Sequence, residues 1–127
     1  MRTHAGRVVA IGLALLLAAC VSDSRPDAEA CGAGSIEIDA TLAADTLTPK
    51  NLAVCRDQDV TLRIASEVNG IIHIHGYDEI VSATDVAEGE TLELTFVAER
   101  DGQYPIELHP AGSPEGVSVG IFTVHER

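Results

Sequence analysis

Strict alternation of apolar and polar residues recurs along this chain, in runs of strand length. Thr91-Leu92-Glu93-Leu94-Thr95-Phe96-Val97 shows it most cleanly, with Leu92, Leu94 and Phe96 on one face. A period of two belongs to an extended chain half-buried in a sheet. Ser35–Leu42 repeats the pattern, as do residues 60–66 and 103–109. These runs turn Val60, Leu62 and Ile64, then Tyr104, Ile106 and Leu108, toward a core. Residues 52–54 and 71–75 read as further short strands, and Ile80 and Val81 as a brief edge segment. Val117–His125 closes the chain as a last strand, with Val119, Ile121 and Thr123 opposite Phe122 and Val124.

Turn signals separate the runs: Pro49 within 46–51, Arg56-Asp57-Gln58-Asp59, Asn69-Gly70, residues 86–90, Asp101-Gly102, and a loop at 110–116 with two prolines and two glycines. About seven short strands at this spacing, with no repeat and no amphipathic helix, define an all-β sandwich or barrel. Trp is absent and aromatics make up 3% of the chain, so the core is aliphatic.

The first residues read differently. Arg2 and Arg7 precede an apolar run, residues 8–17, that is too short for a permanent membrane span and fits a secretory leader. Leu17-Ala18-Ala19-Cys20 resembles the lipobox of bacterial lipoproteins. The resemblance implies a signal peptide over residues 1–19, cleavage before Cys20, and a lipid on the Cys20 sulfur that holds the chain to a membrane in the bacterial cell envelope, outside the cytoplasm. An ordinary signal peptide cleaved near Ala19 is the other reading. Residues 20–34, rich in Ser, Asp, Ala, Gly and Pro, read as a flexible tether, and residues 35–127 as the folded domain.

With Cys20 lipidated, Cys31 and Cys55 remain. In an oxidising compartment they most simply form a disulfide; a Cys-plus-His metal site would need a thiolate that survives oxidation. The net charge of −12 becomes two units more negative when Arg2 and Arg7 leave with the leader. Such a surface repels nucleic acid, which excludes that class of partner. No nucleophile–base pair or spaced carboxylate pair stands out, so no enzyme is expected. Partners are then the membrane, through the anchor, and an envelope protein.

The order of features from Ser35 onward resembles the cupredoxin fold, a Greek-key β-sandwich. His73-Ile74-His75-Gly76-Tyr77-Asp78 resembles the end of the early ligand strand, and Gly102-Gln103-Tyr104-Pro105-Ile106-Glu107-Leu108 resembles the strand that leads to the cysteine ligand. The match places Leu108 where that cysteine would stand. The loop at 110–116 offers neither His nor Met, and the single Met is Met1. A blue-copper centre, which needs a thiolate, is therefore not expected.

What the resemblance leaves is a set of histidines. It puts the ends of the His73 and Tyr104 strands at one pole, where His73, His75 and His109 would meet and hold copper or zinc. Asp78 and Glu107 are candidate further ligands or partners that orient a ring. Strand phase leaves this open. If Ile72, Ile74 and Leu108 fill the core, all three histidines face outward. His125 reads as a surface residue. The expected function is a metal chaperone, buffer or accessory module; the other reading is a metal-free interaction module that has lost the copper site.

Overall fold

A computed structural model of the protein describes residues 28–127. The leader, Cys20 and the start of the tether lie outside the described residues. A short helix, α1 (Ala28–Gly32), comes first. Nine strands follow: β1 (Ser35–Leu42), β2 (Leu47–Thr48), β3 (Asn51–Cys55), β4 (Asp59–Ser66), β5 (Gly70–Ile74), β6 (Thr84–Val86), β7 (Thr91–Val97), β8 (Gly102–Pro110) and β9 (Val117–His125). They form two sheets, ordered β2-β1-β4-β7 and β3-β9-β8-β5-β6. Strand β1 runs parallel to β4 and β3 parallel to β9; the other pairings are antiparallel.

The alternating residues meet between the sheets. Val60, Leu62 and Ile64 of β4 are buried, as are Ile106 and Leu108 of β8, while Leu92, Leu94 and Phe96 of β7 pack at the margin of the same core. The two extra strands are the two-residue β2 and the three-residue β6. Ile80 and Val81 do not form the edge segment. They lie in the turn after β5, with Val81 buried, and the edge is instead β6, reaching into the stretch read as a turn.

Strand β9 departs from the expected two-face reading. Ile106 pairs with Gly120 but Glu107 pairs with Ser118, so Val119 is an extra residue in a bulge. The bulge shifts the phase: Val119 is buried along with Phe122, Thr123 and Val124, while Ile121 faces outward.

All four aromatic residues of the chain, Tyr77, Tyr104, Phe96 and Phe122, gather in one cluster. Tyr77 is its hub, with ring centroids 4.6 Å from Tyr104 and 5.4 Å from Phe122 in edge-on geometry. Its hydroxyl accepts a bond from the Arg100 amide at 3.3 Å, and burial pushes its pKa up.

Cys31 and Cys55 form a disulfide, with Cα atoms 5.4 Å apart. Buried Gln58 reinforces it, donating to the carbonyls of Ala30 and Ala33 at 2.8 and 3.0 Å and accepting from the Cys55 amide at 2.8 Å. The end of the stretch read as a tether is thus fastened to the domain ahead of Ser35. Among the described residues no helix is long and apolar enough to cross a membrane.

Candidate metal centre

Strand phase decides where the histidines go. Ile72 and Ile74 of β5 and Ile106 and Leu108 of β8 are buried. Their neighbours in sequence, His73, Glu107 and His109, therefore share the outer face of the five-stranded sheet. The antiparallel register sets His73 opposite Glu107 and Ile71 opposite His109. The residues meet across the middle of a sheet face, which corrects the expected pole: the end of β5 at Ile74 lies beside Ile106, within β8 rather than at its end. Leu108, at the cysteine-like position, points into the core and away from the histidines.

His73 is the centre of the cluster. Its Nε2 is 3.0 Å from Glu107 Oε2 and 3.2 Å from His109 Nε2. Its Nδ1 is 3.0 Å from Asp78 Oδ1. A carboxylate only accepts, so the tautomer with its proton on Nδ1 donates to Asp78 and leaves the Nε2 lone pair facing the cluster. That bond, the first of its causes, holds the Asp78 pKa below the usual carboxylate range. The arrangement is the carboxylate–histidine pair that commonly stands behind a metal ligand.

Local sequence explains why Asp78 returns to His73. Gly76 takes φ +82°, a left-handed conformation that favours glycine. The Tyr77 amide then donates to the Ile74 carbonyl at 2.9 Å, which drops Tyr77 into the core and folds Asp78 back. Arg100 holds the turn from outside, donating to the Gly76 carbonyl at 2.7 Å while its guanidinium carbon lies 5.4 Å from the Tyr77 ring centroid.

Glu107 joins the rest. Its Oε2 lies 3.7 Å from His75 Nδ1 and 3.9 Å from His109 Nε2, besides the bond to His73. His73, His75 and Glu107 offer donor atoms that all lie within 4.8 Å of one another; His109 is not in that group. Side-chain exposure runs from 16% for His73 and 29% for Glu107 to 36% for His109, 49% for Asp78 and 64% for His75.

Tetrahedral bonds of about 2.0 Å put neighbouring donors about 3.3 Å apart. The spacings around His73 Nε2 match this. Those from Glu107 to His75 and His109 need only a small closure, which an exposed ring supplies. The residues fit a divalent transition metal.

Glu107 carries more of this site than its sequence reading assigns. The signal is parity: Glu107 and His109 share a strand face, as do His73 and His75. Arg100 and Gly116 have no sequence signal. A Cβ on Gly116 would lie 2.8 Å from Cε1 and 2.9 Å from Nε2 of His109, so this glycine is the floor on which that ring rests. His125 is not in the cluster; its Nε2 is buried without a partner.

No protein family matches the chain by sequence, and no curated protein does. Solved structures do resemble it. Auracyanin A, a "blue" copper protein from the green thermophilic photosynthetic bacterium Chloroflexus aurantiacus, is 21% identical with a TM-score of 0.53, over 72% of this chain and 100% of auracyanin. A copper binding protein solved by NMR in the apo form is 14% identical with a TM-score of 0.55, over 73% of this chain and 90% of its own. A multi-copper oxidase from Pseudomonas thermotolerans is 20% identical with a TM-score of 0.54, and the match spans 73% of this chain but only 30% of the oxidase. At such identities the likeness establishes the fold. The chain forms a cupredoxin-like β-sandwich whose histidine cluster lies on an outer sheet face.

Proposed function

We propose that this chain is a lipid-anchored, extracytoplasmic cupredoxin-like protein that holds a divalent transition metal at the cluster of His73, His75, His109 and Glu107, as a chaperone, buffer or accessory module rather than an enzyme. The carrying observation is the convergence of Glu107 and His109 on His73 Nε2, with His75 beside Glu107 and Asp78 fixing the His73 ring from behind. Imidazole and carboxylate donors without sulfur suit Cu(II) or Zn(II). Copper gains support from the solved relatives, whose names are those of copper proteins. The envelope address rests on the lipobox-like Leu17-Ala18-Ala19-Cys20 and accords with the Cys31–Cys55 disulfide, a bond of oxidising compartments. The lipid supplies the membrane partner, and an envelope protein is the expected giver or receiver of the ion.

Calorimetric titration of the full chain in detergent with Cu(II) and Zn(II), beside His73→Ala/His75→Ala, tests this. Binding at micromolar or tighter affinity that disappears in the variant is the expected result.

One observation favours a second reading. Both ring nitrogens of His73 already have carboxylate partners without an ion, so the cluster is also satisfied as a polar patch of a metal-free interaction module. Equal, weak binding by both proteins would select it and sink the metal reading.

A further inference from the structure

Two donor sets overlap on this face and share one pair of atoms, His73 Nε2 and Glu107 Oε2, 3.0 Å apart. His75 flanks the pair on one side, with Nδ1 3.7 Å from Glu107 Oε2. His109 flanks it on the other, with Nε2 3.2 Å from His73 Nε2 and 3.9 Å from Glu107 Oε2. His75 makes one three-donor group with the shared residues, and His109 Nε2 makes a second with His73 Nε2 and Glu107 Oε2, all three atoms within 3.9 Å of one another. The shared pair can therefore be completed from either flank.

The flanks differ in kind. His75 follows the last residue of β5, borders the Gly76 turn and is 64% exposed. His109 lies within β8, is 36% exposed and rests on the backbone of Gly116. A hydrated ion meets an accessible, loosely held ring first. It is retained by a ring that the fold already holds in place, because less freedom is lost when the bond forms.

We propose that His75 is the capturing ligand and His109 the retaining ligand of a two-position site, through which a divalent ion moves across the His73–Glu107 pair. The ion keeps two protein bonds throughout. One imidazole, that of His75, leaves as the other, that of His109, arrives, and release runs the same steps backward. The inference rests on the metal-binding reading and adds the direction of exchange.

Rapid-mixing kinetics on the full chain in detergent tests it. Zn(II) is the probe, and a fluorescent chelator reports uptake and release. Replacing His75 removes a route but not the final position. His75→Ala is expected to slow uptake and release by the same factor, about tenfold, with Kd nearly unchanged. His109→Ala is expected to leave uptake alone and speed release, weakening Kd by about 10–100-fold. Gly116→Ala, which displaces the His109 ring without removing it, should change release in the same direction, so the outcome does not hinge on one variant's folding. Equal losses of Kd in the His75 and His109 variants, with unchanged uptake in both, would mean a single undivided site and overturn the proposal. Absence of Zn(II) binding by the parent chain would overturn the metal reading itself, a result plainly different from intact binding with undivided kinetics.

Discussion

His73 and Glu107 face one another across the β5–β8 ladder, and the 3.0 Å between Nε2 and Oε2 is the shortest link between the two strands' contributions to the cluster. Asp78, bonded to the far nitrogen of His73, has its carboxyl pKa lowered on folding. A depressed folded value means that the unfolded chain binds the proton more readily. The bond therefore adds stability above the unfolded carboxylate pKa of about 3.9, and that share is lost as pH falls through the lower folded value. Asp78→Asn should lose less stability than the parent between about pH 4 and pH 2, although it starts lower at neutral pH. Thermal melts across that range check the sign, and a steeper acid loss in the variant would contradict the assignment.

The same substitution reaches the metal. Without an acceptor at Nδ1, the His73 ring loses both its orientation and its tautomer preference. Asp78→Ala should weaken Zn(II) binding by about 10–100-fold although Asp78 touches no ion, because partners of this kind set ligand geometry and basicity. Calorimetry reads the change. An unchanged affinity would show that packing alone holds the ring.

Much of the sandwich could be read from period two, because β4, β7 and β8 each turn alternate residues toward the core, fully buried in β4 and half-buried in β7. The site could not be read that way. In 72–75 isoleucines and histidines alternate, and either set can be drawn inward in a sheet whose outer face also carries Ile71 and Ile121. Which face wins is decided by contacts with strands far along the chain, Ile106 and Leu108 in particular. The resemblance pointed to a pole, whereas the antiparallel register places His73 beside Glu107 in the middle of the sheet. The bulge at Val119 and the three-residue β6 were hidden for a related reason: each depends on a neighbouring strand more than on its own few residues.

The aromatic hub carries the corner that bears Asp78. Tyr77→Ala removes a fully buried ring from a cluster of four and should cost about 3–5 kcal/mol. Tyr77→Phe removes only the hydroxyl that accepts from the Arg100 amide, and about 1 kcal/mol is expected. Denaturant unfolding separates the two. Near-equal losses would move the weight from the ring to the hydroxyl.

The disulfide closes a loop with a sequence separation of 24 residues. Chain entropy assigns such a loop about 3 kcal/mol, so Cys31→Ser/Cys55→Ser should unfold at clearly lower denaturant. Cys55 lies on β3, which β9 separates from the histidine-bearing β8 and β5, and Zn(II) affinity of the folded variant should stay within about twofold of the parent, as expected for separate sites without shared partners. A large loss of affinity in the folded variant would show that the fastening at α1 reaches β5.

Leu108 offers a sharp test of where a thiolate could stand in this fold. The sequence resemblance sets it at the position of a cysteine ligand, and the substitution Leu108→Cys introduces that residue type. Position, however, is against it. Leu108 lies between Glu107 and His109 on β8, and alternation turns it to the opposite side of the sheet, where it is fully buried against the opposing strands. A sulfur there would face the apolar core rather than His73. The variant should bind Cu(II) as the parent does, show none of the intense visible absorption of a copper–thiolate bond, and lose about 2 kcal/mol through the space left by the leucine. Strong visible absorption on adding Cu(II) would mean that β8 can turn the side chain outward, and that the outer-face cluster and position 108 are not separate places. With such a sulfur confined to the core, the histidines, Glu107 and Asp78 are the donors that this corner of the described residues offers an ion.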